Sequence, residues 1–154
     1  MPDRTTIEDF LHQKHIALVG VSRDTRSFAN VVYRQLRDAG HTMYPVNGNA
    51  VTPILEGDAC YARISKVPDP VDGVLVMVPA RLAADVVRDA IARGIPRVWL
   101  HRGVGQGAVS REAVALCEQA GVAVVDGACP LMFLEPVKSV HRLHRFFDGR
   151  RFAA

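Results

Sequence analysis

A chain of 154 residues with 49% hydrophobic and 23% charged side chains has the size and balance of one globular domain that buries its own core without metal or disulfide staples. Its most apolar stretch, Val71 to Pro79, is broken by Asp72 and Gly73 and falls far short of the roughly 20 residues that span a bilayer, which excludes a membrane-spanning helix. The net charge is +3, but Lys138 to Ala154 carries five Lys or Arg against one Asp, so the basicity belongs to the tail and the remaining body is close to neutral.

The first residues include Asp3, Glu8 and Asp9 and lack an apolar run after the first basic residue, so they do not read as a secretory signal and a cytoplasmic location is expected. Cys60, Cys117 and Cys129 are odd in number and widely spaced, which speaks for reduced thiols and against a disulfide framework or a paired-cysteine zinc site.

In chain order, Thr5-Thr6-Ile7-Glu8 has the capping-box pattern, with Ile7, Phe10 and Leu11 following at helical spacing. Ile16 to Val21 is a continuous apolar run, as in a strand buried on both faces. The polar stretch Ser22 to Ser27 leads into an apolar stripe of Phe28, Val31, Val32, Leu36 and Ala39, closed by Gly40, which predicts a helix. His41 to Val46 reads as a second strand ending in the loop Asn47-Gly48-Asn49. Between Val51 and Pro70 only Cys60-Tyr61 suggests a short strand. Val71 to Val78 is the next apolar run, after which Pro79 opens a helix with the stripe Leu82, Ala83, Val86, Val87 and Ala90, ended by Gly94. Arg97 to Leu100 is a strand; Ser110 caps a helix with Ala113, Leu116, Cys117 and Ala120 inward, ended by Gly121; Val122 to Val125 is the last strand. From Pro136 the tail places Val137, Val140, Leu143 and Phe147 on one side and Lys138, Arg142 and Arg145 elsewhere, the pattern of an amphipathic helix. Alternating apolar strands and helices imply an α/β fold: a doubly wound, mostly parallel sheet with helices on both faces, filling residues 1–154 as one domain.

In such sheets ligands bind beyond the carboxyl ends of the strands, where the first strand-to-helix turn lies. Gly20-Val21-Ser22 occupies that turn: Gly20 permits close backbone approach, Ser22 offers a hydroxyl, Arg23 and Arg26 add positive charge, and N–H groups at the helix start attract a diphosphate. A lone Gly-x-Ser would otherwise be only a tight turn. The second and third glycines of a dinucleotide fingerprint are missing, and Pro45-Val46-Asn47 supplies no carboxylate for an adenosine ribose, so ordinary NAD binding is disfavoured.

The runs Ile16-Ala-Leu-Val-Gly-Val-Ser22, Tyr44-Pro-Val-Asn47, Val71-Asp-Gly-Val74 with Val78-Pro79, Val98-Trp-Leu100 with Gly103-Val104, and Val124-Val125 leading to Cys129-Pro130 occur in an order that resembles the stand-alone CoA-binding proteins. These are related to the CoA-binding domain of the succinyl-CoA synthetase alpha subunit. The resemblance, from about Phe10 to Val140, implies a Rossmann-type domain with coenzyme A or an acyl-CoA across the strand ends. Gly20, Val21, Ser22, Arg23 and Arg26 would meet its phosphates, and Asn47 the adenosine. Val78 and Pro79 would lie beneath the ligand, with Leu100, His101 and Arg102 toward the pantetheine arm.

The chain stops before the second synthetase domain that carries the phosphorylated histidine, and His101 does not inherit that role. A nucleotide-driven ligase acting alone is therefore not expected, and the Gly20-Val21-Ser22 turn, the missing ribose carboxylate and the strand-end pattern make a non-catalytic CoA-binding protein the leading expectation. Its alternatives are an acyl-CoA-dependent enzyme using Cys129 or His101, and a regulatory domain for NAD(P) or another nucleotide. Cys129 reads more readily as a buried, inert thiol than as a nucleophile, and Cys117 as core. His12 with His15, and His141 with His144, stand three apart without a nearby Cys or carboxylate to complete a metal site, and read as solvated surface. The tail arginines are better explained as a basic terminus than as a nucleic-acid surface. Association of copies into a homo-oligomer remains open at this point.

Overall fold

The computed structural model describes residues 2–49 and 53–134. The expected tail helix from Pro136, with His141 and His144 and the tail arginines, lies outside these residues. Among the described residues four α-helices and a five-stranded sheet form the frame: α1 (Arg4–Leu11), β1 (His15–Val19), α2 (Phe28–Asp38), β2 (Thr42–Val46), a small hairpin β3 (Ile54–Leu55) and β4 (Asp58–Ala59), β5 (Gly73–Val76), α3 (Ala80–Ala92), β6 (Arg97–Leu100), α4 (Arg111–Ala120) and β7 (Ala123–Asp126).

The large sheet has the order β2-β1-β5-β6-β7, all neighbours parallel. The chain winds outward from β1 to β2, returns to the other side of β1 at β5, and winds outward again. Chain order therefore reverses between β1 and β5.

Side chains alternate across the sheet with the period of two that a strand imposes. Ile16, Leu18, Leu75, Trp99 and Val125 pack against α1 and α2, while Ala17, Val19, Val74, Val76, Val98 and Leu100 pack against α3 and α4. Burial on both faces is what the continuous apolar runs predict. Trp99, the largest side chain of the core, meets Phe10 edge-on at 5.4 Å and donates its indole N–H to the Ala128 carbonyl at 3.2 Å. Its bulk and its one polar atom are thus both accommodated.

Several boundaries shift for local reasons. The first helix is capped by Asp3, whose carboxylate accepts from the Thr6 backbone N–H at 3.0 Å, so Thr5 lies inside the helix and is not its cap. The apolar stripe expected of α2 turns by one position: Phe28 is exposed, and Ala29, Asn30, Val32, Tyr33 and Leu36 face inward. Ala120 and Leu82 are likewise exposed at the margins of their helices. The strand expected at Cys60-Tyr61 is a single parallel bridge between Tyr61 and Val46, directly after β4. By contrast β6 and α4 occupy the expected spans, α4 with Ser110 as its cap and Gly121 closing it in a left-handed conformation.

Candidate functional site at the chain reversal

At the reversal, a cleft of about 450 Å³ lies over the carboxyl ends of β2, β1 and β5, lined by Gly20, Asn47, Met77, Val78, Pro79 and Arg63, among others. Its volume lies in the range of small-molecule sites, about 300–1,000 Å³. The place follows from topology, because outward-going connections on either side of a reversal leave a gap at the carboxyl edge.

Gly20 is required here by its own neighbours. Its φ is +120°, and a Cβ at this position would stand 2.4 Å from the Met77 carbonyl oxygen. Its N–H donates to the Val46 carbonyl at 3.0 Å. The close approach that Gly20 permits is thus to the end of β5, which brings the two walls of the cleft together.

The turn that follows is pinned by side chains. Asn30, fully buried on α2, accepts from the Ser22 N–H at 2.8 Å and donates to the Ser22 carbonyl at 2.8 Å and to Glu56 at 2.8 Å. Ser22 Oγ accepts from the Asp24 N–H, and Asp24 accepts from both the N–H and the guanidinium of Arg26. The Ser22 amide, one of the donors expected to face a diphosphate, is therefore committed to Asn30. The N–H groups of Val21, Arg23, Phe28 and Ala29 have no hydrogen-bond partner among the described residues. Arg23 is exposed, and Arg26 is exposed and paired with Asp24, whose carboxyl is held below its ordinary value by the Arg26 bonds.

Behind Asn30, Glu56 also binds Arg34 Nη1 through both carboxylate oxygens, at 2.9 and 3.0 Å. Burial pushes the Glu56 carboxyl up, but the Asn30 and Arg34 hydrogen bonds outweigh it and hold it below the ordinary value. Tyr33, beside them, donates to Asp58 at 2.6 Å, and its hydroxyl pKa is raised by burial and by that carboxylate. The small hairpin is in this way tied to α2, and α2 to the turn.

The carried-over residues do not all meet at one place. Gly20, Asn47, Val78 and Pro79 come together in the cleft. Val21 is buried in the core on the α1 and α2 side, its carbonyl accepting from Asn47 Nδ2 at 2.7 Å, while Asn47 Oδ1 accepts from the Asn49 N–H, so both polar atoms of Asn47 hold local backbone. Leu100 is core on the α3 and α4 side. His101 follows β6 with its ring 5.8 Å from that of Phe28, its Nε2 buried without a partner among the described residues and its pKa lowered by burial. Arg102 turns to a second, apolar hollow of about 640 Å³ with Gly103, Ile7 and Phe133, away from the reversal.

Cys129 is buried in the core on the α1 and α2 side, and burial pushes its thiol pKa up, as it pushes that of Cys117 to about 11. Among the described residues neither has the cationic neighbour that activates a thiol. His12 bonds the Glu8 carbonyl and His15 pairs with Asp72, so this pair does not converge on one point. Among the described residues no group of three or more His, Cys, Asp or Glu is placed to hold a metal, and no helix is long and apolar enough to cross a membrane.

Sequence reasoning overlooked Asn30, Arg63 and the α3 carboxylates Asp85 and Asp89, all at or behind the cleft. A single amide on the inward stripe of α2 was the available signal for Asn30. Arg63 lies in a stretch without periodicity and had none.

A model of the CoA binding domain matches residues 14–135. This chain belongs to that family. It is 27% identical over 129 residues to the ADP-forming acetate–CoA ligase I of Archaeoglobus fulgidus, a match covering 80% of this chain but only 18% of the ligase. A hypothetical protein from Pyrococcus horikoshii has a similar structure, with a TM-score of 0.74 and 27% identity over 94% of this chain and 92% of that one. The dinucleotide-forming acetyl-coenzyme A synthetase 1 of Candidatus Korarchaeum cryptofilum, solved with phosphate and ADP, is also similar, with a TM-score of 0.65 and 25% identity over 88% of this chain and 29% of that one. The chain thus spans a small part of the large enzymes it matches and nearly all of the small Pyrococcus protein.

Proposed function

We propose that this protein binds coenzyme A or an acyl-CoA in the cleft at the chain reversal, with the diphosphate at the first strand-to-helix turn, and that it does so without transforming it. The observation that carries this reading is the cleft itself. It lies over the ends of β2, β1 and β5, has an apolar floor at Val78 and Pro79, and adjoins a turn whose amides at Val21, Arg23, Phe28 and Ala29 are unpartnered among the described residues. These features fit an extended nucleotide ligand with an anionic middle and a less polar arm. Membership of the CoA-binding family agrees with it.

A catalytic role through Cys129 or His101 has less support. Cys129 is buried with a raised thiol pKa, and His101 stands without a carboxylate partner among the described residues. A nucleophile needs a base and a base needs an orienting group. Neither set is assembled among the described residues.

Isothermal titration of the full chain with CoA and acetyl-CoA is expected to give one-to-one binding. Mass spectrometry after incubation with acetyl-CoA is expected to recover protein and ligand unchanged. Absence of heat with both ligands would refute the binding reading; acyl transfer to the protein or release of free CoA would refute the non-catalytic one.

A further inference from the structure

The β2 end of the cleft has an unusual distribution of charge. Asp85 and Asp89, four apart on α3, present carboxylates to it, and Arg63 is the only cationic side chain among the described residues that line it. Asp85 is paired with Arg88 at 2.8 Å, so the charge that an anionic ligand meets from this side turns on Arg63 and Asp89.

Arg63 is brought there by backbone pairing. Tyr61 bridges Val46, accepts from the Asn47 N–H at 2.9 Å and donates to the Pro45 carbonyl at 3.0 Å, so residues 61–63 run beside the end of β2. The Ala62 carbonyl lies 3.6 Å from where a Cβ would stand on Gly48, which puts Arg63 next to the loop Asn47-Gly48-Asn49. From this position its guanidinium reaches across to α3 and donates through Nη2 to Asp89 at 2.6 Å. Arg63 and Asp89 line both this cleft and the shallower one beyond it, so the pair forms the wall between them. One N–H of the guanidinium meets Asp89, and the rest of the donor fork has no partner among the described residues.

In doubly wound folds the end of the second strand meets the adenosine ribose: a carboxylate there selects free hydroxyls, whereas a nearby arginine accommodates a phosphorylated ribose. Here the strand ends in Asn47, whose polar atoms are both engaged with local backbone, and Arg63 stands beside it. We propose that this end of the cleft selects a phosphorylated ribose and that Arg63 is the specificity-determining residue that reads the phosphate. The ligand is then 3′-phosphorylated CoA in preference to 3′-dephospho-CoA. The inference rests on the CoA-binding reading above and adds to it the residue that discriminates. Asp89 holds Arg63 extended across the opening and at the same time opposes the incoming phosphate.

The test is calorimetric titration of the full chain with CoA and with 3′-dephospho-CoA, for the unaltered protein and for Arg63→Gln, Arg63→Lys and Asp89→Asn. The unaltered protein is expected to prefer CoA by roughly tenfold, the worth of one charge-assisted contact at an exposed rim. Arg63→Gln is expected to bring the two dissociation constants within about twofold of each other, and Arg63→Lys to give an intermediate ratio because the charge remains without the planar fork. Asp89→Asn is expected to widen the preference. Equal affinity of the unaltered protein for both ligands overturns the proposal while leaving CoA binding intact, and so does a preference that persists in Arg63→Gln. Failure of both ligands to bind overturns the CoA reading and this proposal together. Each variant is expected to keep the unaltered thermal midpoint within a few degrees, since Arg63 is 63% exposed at its side chain.

Discussion

The turn after β1 and the loop after β6 leave the same edge of the sheet, yet they are held in opposite ways. Residues 20–28 are fixed by a buried amide, Asn30, which takes both backbone groups of Ser22 and is itself held by Glu56 and Arg34. The loop after β6 is closed at its base, where the buried Ala108 donates to the His101 carbonyl at 2.8 Å, but its tip is held by exposed contacts, Arg102 Nε to the Gly105 carbonyl and Gln106 Nε2 to the Val109 carbonyl, and leaves Val104 fully exposed. A segment fixed from inside meets a ligand with its shape already set, whereas a tip held at the surface reshapes at small cost. In the binding mode proposed above, the first turn would receive the anionic centre of the ligand and the tip of the second loop would tolerate variable groups.

The sharpest way to break this contrast is to add a methyl group to each. Gly20→Ala places a Cβ against the Met77 carbonyl and is expected to cost roughly 2–4 kcal/mol in urea unfolding. Gly105→Ala, at φ +83° in open space, should cost only about 1 kcal/mol. Equal losses would mean that the approach of β1 to β5 is not what demands glycine.

Next in size, Asn30→Ala strands the Ser22 N–H and one face of Glu56, with an expected loss of about 2–3 kcal/mol and a matching fall in ligand affinity. Gln106→Ala should stay within about 0.5 kcal/mol. A similar penalty at both positions would erase the distinction between the two segments.

A smaller effect concerns acid. The Glu56 carboxyl titrates below its ordinary value of 4.5 in the folded protein, so the unfolded chain takes up protons first. Its stabilising contribution is complete above about pH 4.5 and disappears as pH falls through the lowered folded value. Glu56→Gln should therefore be less stable than the unaltered protein at pH 7, with the gap between their urea midpoints narrowing toward pH 3. A gap independent of pH would rule out this contribution.

The smallest change is expected on the other loop. Burial lowers the pKa of His101 below 6.5, so the folded state favours the neutral ring, and the associated stability is present above pH 6.5 and lost as pH falls below it. His101→Phe should flatten the dependence of the thermal midpoint on pH between 7 and 5.5, readable by circular dichroism.

How much of this was legible in the sequence depends on how local the determining force is. Strand β6 and helix α4 could be read to their ends because an apolar run and a Ser110 to Gly121 bracket act over a few residues. Helix α1 was misjudged at its cap because Asp3 and Thr5 are both competent caps, and only the bond to Thr6 decides between them. In α2 the apolar stripe pointed to Phe28, but the inward position is taken by Asn30, whose polarity is satisfied by a turn and a hairpin far along the chain. The hairpin escaped notice because its strands are two residues long and its turn, Glu56-Gly57 with φ of +53° and +81°, lacks the usual asparagine. Gly20, Asn47, Val78 and Pro79 could be placed at the cleft because parallel topology brings strand ends together. Arg63 could not, because a single bridge at Tyr61 delivers it.

That bridge has a consequence for how copies of the protein meet. β2 is an outermost strand, the kind of margin along which sheets of separate molecules readily join. Pro45 removes one donor from it, and Tyr61 already occupies the Pro45 carbonyl and the Asn47 N–H. The upper part of this border therefore offers little template for strand addition, and a crowded solution of the protein is guarded against fibrous stacking on the side where the cleft opens.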